Sequence, residues 1–182
     1  LWAGDVARPY SLASLPEEDR FLEFHLDCRE PGQFVDAARR LNIGDPIRLG
    51  ELRGGALHYD ADWHDRPLWL LAAGTGLAPL FGILREALRQ QHQGAIRLIH
   101  VAHEEAGHYL DKPLKALAAK HPNFTYIPAL SDTDVSASWT GAKGFVHEAL
   151  KAHFNNDFRG HKAYMCGPPP MIEACISTLM QG

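Results

Sequence analysis

The run Leu68-Trp69-Leu70-Leu71-Ala72-Ala73 feeds straight into Gly74-Thr75-Gly76-Leu77-Ala78-Pro79, and an amphipathic stretch follows from Leu80 to Gln90. A short unbroken apolar run bounded by glycine reads as a strand buried on both faces, a situation typical of a parallel sheet covered by helices. A strand that enters a helix through so little side chain brings backbone N–H groups and the positive end of the helix dipole to one spot. That spot suits a phosphate. The turn lacks the third glycine of a G-x-G-x-x-G fingerprint and the Lys-Ser/Thr pair of a P-loop, so a tight structural turn stays open as the other reading.

The residues that follow extend the same pattern. Strands are expected at Ile96–Ala102, Phe124–Ala129 and Ala163–Cys166, and helices at Lys112–Lys120, Phe145–Phe154 and Pro169–Leu179. Strands separated by single helices imply βαβ crossovers, hence an α/β unit with a parallel sheet covered on both faces. Before Pro67 the pattern differs. Arg8–Ala13, Phe21–Leu26 and Pro46–Leu49 read as strands, the last after the Gly44-Asp45 turn, with a short helix at Gln33–Leu41 introduced by Pro31-Gly32. The change of regime falls in the polar stretch Asp60–Asp65 and divides the chain into residues 1–62 and 63–182.

Composition removes several classes of function. Eighteen basic against twenty-two acidic residues give a net charge of -4, and no basic cluster exceeds Arg39-Arg40, so there is no electrostatic footprint for nucleic acid. No window reaches the roughly eighteen apolar residues of a membrane span, and the first residues do not have the layout of a signal peptide. The expected setting is the cytoplasm. Cys28, Cys166 and Cys175 are an odd number and widely spaced, which fits neither a disulfide framework nor a zinc or iron–sulfur pattern. His100, His103 and His108 lie close together in sequence, but no cysteine or carboxylate pairing there gives a zinc spacing, and no metal site is expected. Ser11 and Ser14 lack the G-x-S-x-G elbow of a hydrolase.

Two further segments flank the glycine turn: Arg8-Pro9-Tyr10-Ser11 near the start and Cys166-Gly167-Pro168-Pro169-Pro170-Met171 near the end. An R-x-Y-S segment, a G-T-G-x-A-P turn and a C-G-P-P-x-M segment in this order resemble the ferredoxin–NADP reductase superfamily, over essentially the whole chain. The resemblance implies an antiparallel β-barrel flavin domain in front of a Rossmann-like NAD(P)-binding domain. Three strands do not close a barrel, so it also implies that strands precede residue 1, with Leu1-Trp2-Ala3-Gly4 as the tail of one of them. By the same resemblance Arg8 meets the flavin phosphates, Tyr10 packs on the ring and Ser11 reaches the position where hydride arrives, with Pro9 among the cofactor-binding residues. Gly32-Gln33-Phe34 matches a second flavin-phosphate segment, although Val35 stands where a hydroxyl is expected; a purely structural helix start is the alternative. Gly74, Thr75, Gly76 and Pro79 would receive the pyrophosphate of the nicotinamide nucleotide, and Gly167, Pro168, Pro169 and Met171 would flank Cys166 beside the nicotinamide. Cys166 need not be a nucleophile, because the cofactors carry the chemistry; by default a buried thiol is inert.

The residues after the second strand speak to which nucleotide binds. An adenosine 2′-phosphate calls for a cation there, whereas a ribose diol is served by a carboxylate. His103, Glu104 and Glu105 follow Ala102 with no arginine nearby in sequence, which favours NADH and Glu104; the other reading makes both glutamates solvated loop charges. The expected activity is therefore an FAD-containing, NADH-dependent oxidoreductase that releases single electrons to a redox partner: a ferredoxin or other iron–sulfur protein, an oxygenase component or a haem protein. A non-catalytic NAD(H)-binding regulatory module without flavin is the alternative, and an FMN enzyme of the same architecture is a third.

Overall fold

The computed structural model describes residues 1–132, 134, 137–154 and 157–182. Its first third carries little regular structure. Strands β1 (Trp2–Ala3) and β2 (Val6–Ala7) pair antiparallel around Gly4, whose φ of +57° a residue with a Cβ adopts only under strain. Helix α1 covers Gln33–Ala38 and stops three residues short of the expected end.

The three strands expected in the front segment are not there as ladders. Arg8–Ala13 and Phe21–Leu26 meet only at a single antiparallel bridge, Leu12 to Phe24, and Pro46–Leu49 touches β1 only through Arg48 and Trp2. A strand is stabilised by the partner that satisfies its backbone N–H and C=O groups, and among the described residues these segments have one bridge each. Apolar side chains of these segments consequently face water: Phe21 is 62% exposed and Leu49 is 49% exposed, and outside them Leu52 is 81% exposed.

Past Pro67 the expected elements appear. Strand β3 spans Leu68–Ala73, and a single 3-10 turn over Gly74–Gly76 leads into α2, Leu77–Arg89. There follow β4 (Ile96–Ala102), α3 (Asp111–Lys120), β5 (Phe124–Leu130), a two-residue β6 (Ala142–Lys143), α4 (Val146–Ala152), β7 (Lys162–Cys166) and α5 (Pro169–Gln181). Helix α2 begins three residues earlier than expected because Pro79 falls in its first turn, where the missing N–H has no intrahelical partner to lose. Strand β6 was not anticipated; two residues carry no periodicity.

The five strands form one parallel sheet in the order β6-β5-β4-β3-β7, with Leu68 in register with both Ile96 and Lys162. Alternation along β3 sends Leu68, Leu70 and Ala72 to the face covered by α2 and α3, and Trp69 and Leu71 to the face covered by α4 and α5. All five of those side chains are fully buried. At about 25 cal/mol per Å² of apolar surface removed from water, this double-sided burial is the main stabilising term of the sheet.

The front segment is docked on α2. Ala13, Ser14 and Leu15 are buried there, and the Ala13 carbonyl lies over Gly82 at a distance that an added Cβ would meet in ordinary van der Waals contact. Arg85 donates two hydrogen bonds to the Asp19 carboxylate at 2.6 and 2.7 Å, which holds the Asp19 pKa down at about 2. The polar stretch at residues 60–65 also lies against the sheet. Tyr59 and Trp63 pack on the α2–α3 core, and Lys162 donates to Asp60 at 2.7 Å.

Candidate nucleotide and redox site

Strand β3 continues through α2 to β4 on one side, whereas β7 lies on the other side of β3 and runs into α5 on the opposite face. Connections that depart in opposite senses from neighbouring parallel strands leave a crevice beyond their carboxyl ends, and open α/β sheets bind ligands there. Gly74 to Gly76 and Cys166 to Pro168 are the two lips of this crevice.

Glycine is required at both lips for stated reasons. Gly74 has a φ of +54°. A Cβ on Gly76 would lie 2.1 Å from the Cys166 carbonyl oxygen, so only glycine lets the two loops approach this closely. A Cβ on Gly167 would press on Met171 Sδ at 2.6 Å and on Ala73 Cβ at 3.2 Å. The glycine turn is also held from beneath. His100, fully buried on β4, donates from Nε2 to the Gly74 carbonyl at 3.0 Å. Its Nδ1 is buried without a partner, and desolvation, with the neighbouring His108 second, pushes the pKa of His100 down to about 4. His100 is therefore a neutral strut under the turn. His108 extends the strut by donating from Nε2 to the His100 carbonyl at 3.1 Å.

A cavity of about 1280 Å³ opens at this crevice. Its walls come from three places: Pro9, Tyr10 and Ser11 with residues 25–29 of the front segment; the loops after β3 and β4; and the loops before α4 and α5. Gly74, Thr75, Gly76, Pro79, Glu104, Cys166, Gly167, Pro168 and Met171 all line it. Burial raises the Cys166 thiol pKa, so this side chain is a half-buried thiol and not a thiolate.

Five of the expected site residues lie elsewhere. Arg8 is exposed, and its Nη1 donates to the Ala7 carbonyl. Gly32 caps α1 and Gln33 begins it, both exposed; Phe34 is buried behind the cavity wall, its ring 5.0 Å from that of Tyr10. Pro169 is the first residue of α5. Residues 8–11 have no ladder partner, so the i, i+2 alignment of a regular strand does not hold Arg8 on the side of Tyr10.

Other wall residues were not singled out from the sequence. Arg29 reaches the cavity from the front segment, and its guanidinium bonds both Asp27 carboxylate oxygens, holding the Asp27 pKa down at about 2. Glu104 lies close enough to contribute to the raised pKa of Arg29. Folding therefore brings an arginine distant in sequence, Arg29, to the residues that follow the second strand of the sheet. Phe145, 59% exposed, stacks on His147 at the cavity wall. His25 and Tyr109 join the front segment to the loop after β4 through a 2.7 Å hydrogen bond. The i, i+2 spacing of Glu23 and His25 was a legible signal; their meeting with Tyr109, eighty-four residues from His25, was not.

The sequence profile of the oxidoreductase NAD-binding domain family matches residues 70–176, which runs from within β3 through β7 and holds both glycine lips and most of α5. The chain belongs to that family. It is 39% identical over 179 residues to the phenol 2-monooxygenase reductase component DmpP of Pseudomonas sp. strain CF600, across 98% of this chain and 50% of that protein. It is 32% identical to the anthranilate 1,2-dioxygenase electron transfer component of Acinetobacter baylyi, across 96% of this chain and half of the relative. The chain thus spans about half the length of the curated relatives it matches. Among solved structures, the Amycolatopsis cytochrome P450 reductase GcoB superposes with a TM-score of 0.78 at 30% identity, over 97% of this chain and 53% of that one. A ferredoxin NADP+ reductase from Neisseria gonorrhoeae with bound FAD and NADP shares the fold at a TM-score of 0.80 and 24% identity, over 96% of this chain and 72% of that one. No helix among the described residues is long and apolar enough to cross a membrane.

Proposed function

We propose that this chain forms the nucleotide half and part of the flavin half of an NADH-dependent flavin oxidoreductase that passes single electrons to a redox protein. The observation that carries the reading is the single cavity in which Tyr10 and Ser11 share walls with Gly74–Gly76 and with Cys166. Its volume exceeds the roughly 300–1,000 Å³ of a site for one drug-sized ligand, as two stacked cofactors require. Residues 1–62 are the flavin-contacting unit and residues 63–182 the NAD(H)-binding unit.

The residues have distinct tasks. The N–H groups of the Gly74–Gly76 turn and the start of α2 hold the pyrophosphate, with the Thr75 hydroxyl as an added donor. Glu104 accepts hydrogen bonds from the adenosine ribose diol, which favours NADH over NADPH. Arg29 does not reverse this preference, because Asp27 already engages its guanidinium. The Tyr10 ring, stiffened by Phe34 behind it, offers an aromatic face to the isoalloxazine. Ser11 supplies a hydroxyl at the hydride-accepting edge, and Cys166 with Gly167 sets how closely the nicotinamide approaches. FAD, when bound, supplies the change from two-electron to one-electron transfer. By analogy with the reductase and electron transfer components named above, the acceptor is an oxygenase component or an iron–sulfur or haem protein.

The test is the visible spectrum of the full-length protein, followed on anaerobic addition of NADH. A flavin band that bleaches with one NADH per flavin is expected, and denaturation should release FAD and not FMN. A protein that binds NADH but takes up no flavin would overturn the catalytic reading and leave a nucleotide-binding module.

A further inference from the structure

A carboxylate, an imidazole and a phenol stand in line where the front segment meets the loop after β4. Glu23 Oε1 lies 2.9 Å from His25 Nε2, and His25 Nδ1 lies 2.7 Å from Tyr109 Oη. The Glu23 carboxylate only accepts, so Nε2 carries the proton of the neutral ring; Nδ1 is then an acceptor and takes the Tyr109 O–H. The phenol oxygen keeps lone pairs for another donor. His25 and Tyr109 line the cavity that Ser11 and Cys166 also line. The His25 side chain is 8% exposed and lies between that of Glu23, 33% exposed, and Tyr109, 41% exposed, so a buried ring joins two more open ends, and Tyr109 is the one on the loop after β4.

The stoichiometry of the proposed reaction leaves a task for such an array. Each NADH gives up hydride, one proton with two electrons; two single-electron acceptors take the two electrons and no proton. One proton per NADH must leave the cavity. Resting on the reading of this cavity as a hydride-to-single-electron site, we propose that Tyr109, His25 and Glu23 form the exit path for that proton. A proton from the cavity binds a lone pair of Tyr109 Oη as the existing O–H bond breaks and its proton moves to His25 Nδ1. The imidazolium, held at Nε2 by Glu23, gives its Nδ1 proton to water; the Nε2–H to Glu23 bond stays in place, and the Tyr109 O–H turns back to the bare Nδ1. Burial raises the Tyr109 pKa, which keeps the phenol protonated between turnovers. The other ring against Tyr109 is that of His100, edge-on at 6.0 Å and neutral.

The experiment uses the full-length protein loaded with FAD. Stopped-flow follows reduction by NADH and then electron release to ferricyanide, in H2O and in D2O. Tyr109→Phe should lower the ratio of the release rate to the reduction rate by about tenfold or more, within the range of a lost acid–base group, and enlarge the solvent isotope effect on release. His25→Gly should do the same, with added imidazole restoring the ratio. Nitrogen NMR of the His25 ring should show a protonated Nε2 and a bare Nδ1 whose shift moves in Tyr109→Phe. An unchanged ratio and isotope effect in both variants, or a ring protonated at Nδ1, would overturn the relay and leave the Tyr109–His25 bond as a clamp. A protein that takes up no FAD, or whose FAD NADH does not reduce, would overturn the reading of the cavity itself.

Discussion

The segments Leu68–Ala73 and Pro46–Leu49 are both short, apolar and preceded by turn residues, yet one becomes a central strand and the other makes a single bridge. Their local chemistry is similar; their supply of partners is not. Leu68–Ala73 pairs along its whole length with β4 and nearly so with β7, and helices cover both faces, so every backbone group and side chain finds its place within the chain. Among the described residues Pro46–Leu49 is bridged by Trp2 alone. Intrinsic strand preference is a weak, context-dependent term, and the ladder and its covering layers decide the outcome. The rear unit holds its own partners; the front segment takes its order from docking on α2.

The largest effect on this contrast is expected at Gly76. A side chain there would drive into the Cys166 carbonyl, a backbone group that cannot step aside without moving β7. Gly76→Val should remove NADH binding measured by calorimetry and cost about 3 kcal/mol or more, as overpacking at a closed contact does. A variant that still binds NADH would show that the two lips are looser than the geometry states. Next comes Leu70→Ala, in the fully buried middle of β3. Urea unfolding should report a loss of about 2–5 kcal/mol.

A pH titration sharpens the comparison through His100. Its folded pKa of about 4 lies below the ordinary 6.5, so the unfolded chain binds the proton more readily. Stability is then full above pH 6.5 and is lost as pH falls from there towards 4, by roughly 3 kcal/mol for the shift. Because the strut supports the Gly74 carbonyl, NADH affinity should fall over the same interval. The pH-dependent part of both losses should shrink in His100→Gln, which keeps a donor and does not titrate. An identical profile in the variant would remove His100 from the turn.

How far the sequence carried depended on the same availability of partners. Leu68–Ala73 and Ile96–Ala102 were legible to the residue, because an apolar run in a two-faced sheet carries its burial in its own composition. Gly76 and Cys166 could be named as site residues, but not the contact that makes glycine obligatory, since it joins elements ninety residues apart. Phe34 was read as facing a phosphate, and its apolar ring, buried behind Tyr10, follows packing instead. Arg29 was missed for the opposite reason: its place beside Glu104 exists only once the front segment has docked.

That docking makes Glu104 a test of intermediate size. Glu104→Arg would exchange an acceptor for the ribose diol for a cation suited to a 2′-phosphate, beside an Arg29 already held by Asp27. The ratio of kcat/KM for NADH to that for NADPH should fall by about tenfold, equivalent to about 1.4 kcal/mol. An unchanged ratio would make Glu104 a solvated loop charge.

The smallest expected effect bears most directly on the difference between the two regions. Leu52 and Leu70 are the same residue in segments of one chain, 81% exposed and fully buried respectively. In this 182-residue chain Leu52→Ala should change unfolding free energy by no more than about 0.5 kcal/mol, the range for surface substitutions without partners. In a longer chain whose additional strands cover Leu52 the same substitution should cost about 1–3 kcal/mol, because it would then bury apolar surface as Leu70 does. The difference between the two measurements isolates what a partner strand contributes, with residue type and local sequence held fixed. Equal small effects in both proteins would mean that the exposure of Leu52 belongs to the front segment itself and not to a missing partner, and the contrast with β3 would have to be sought in local preference after all.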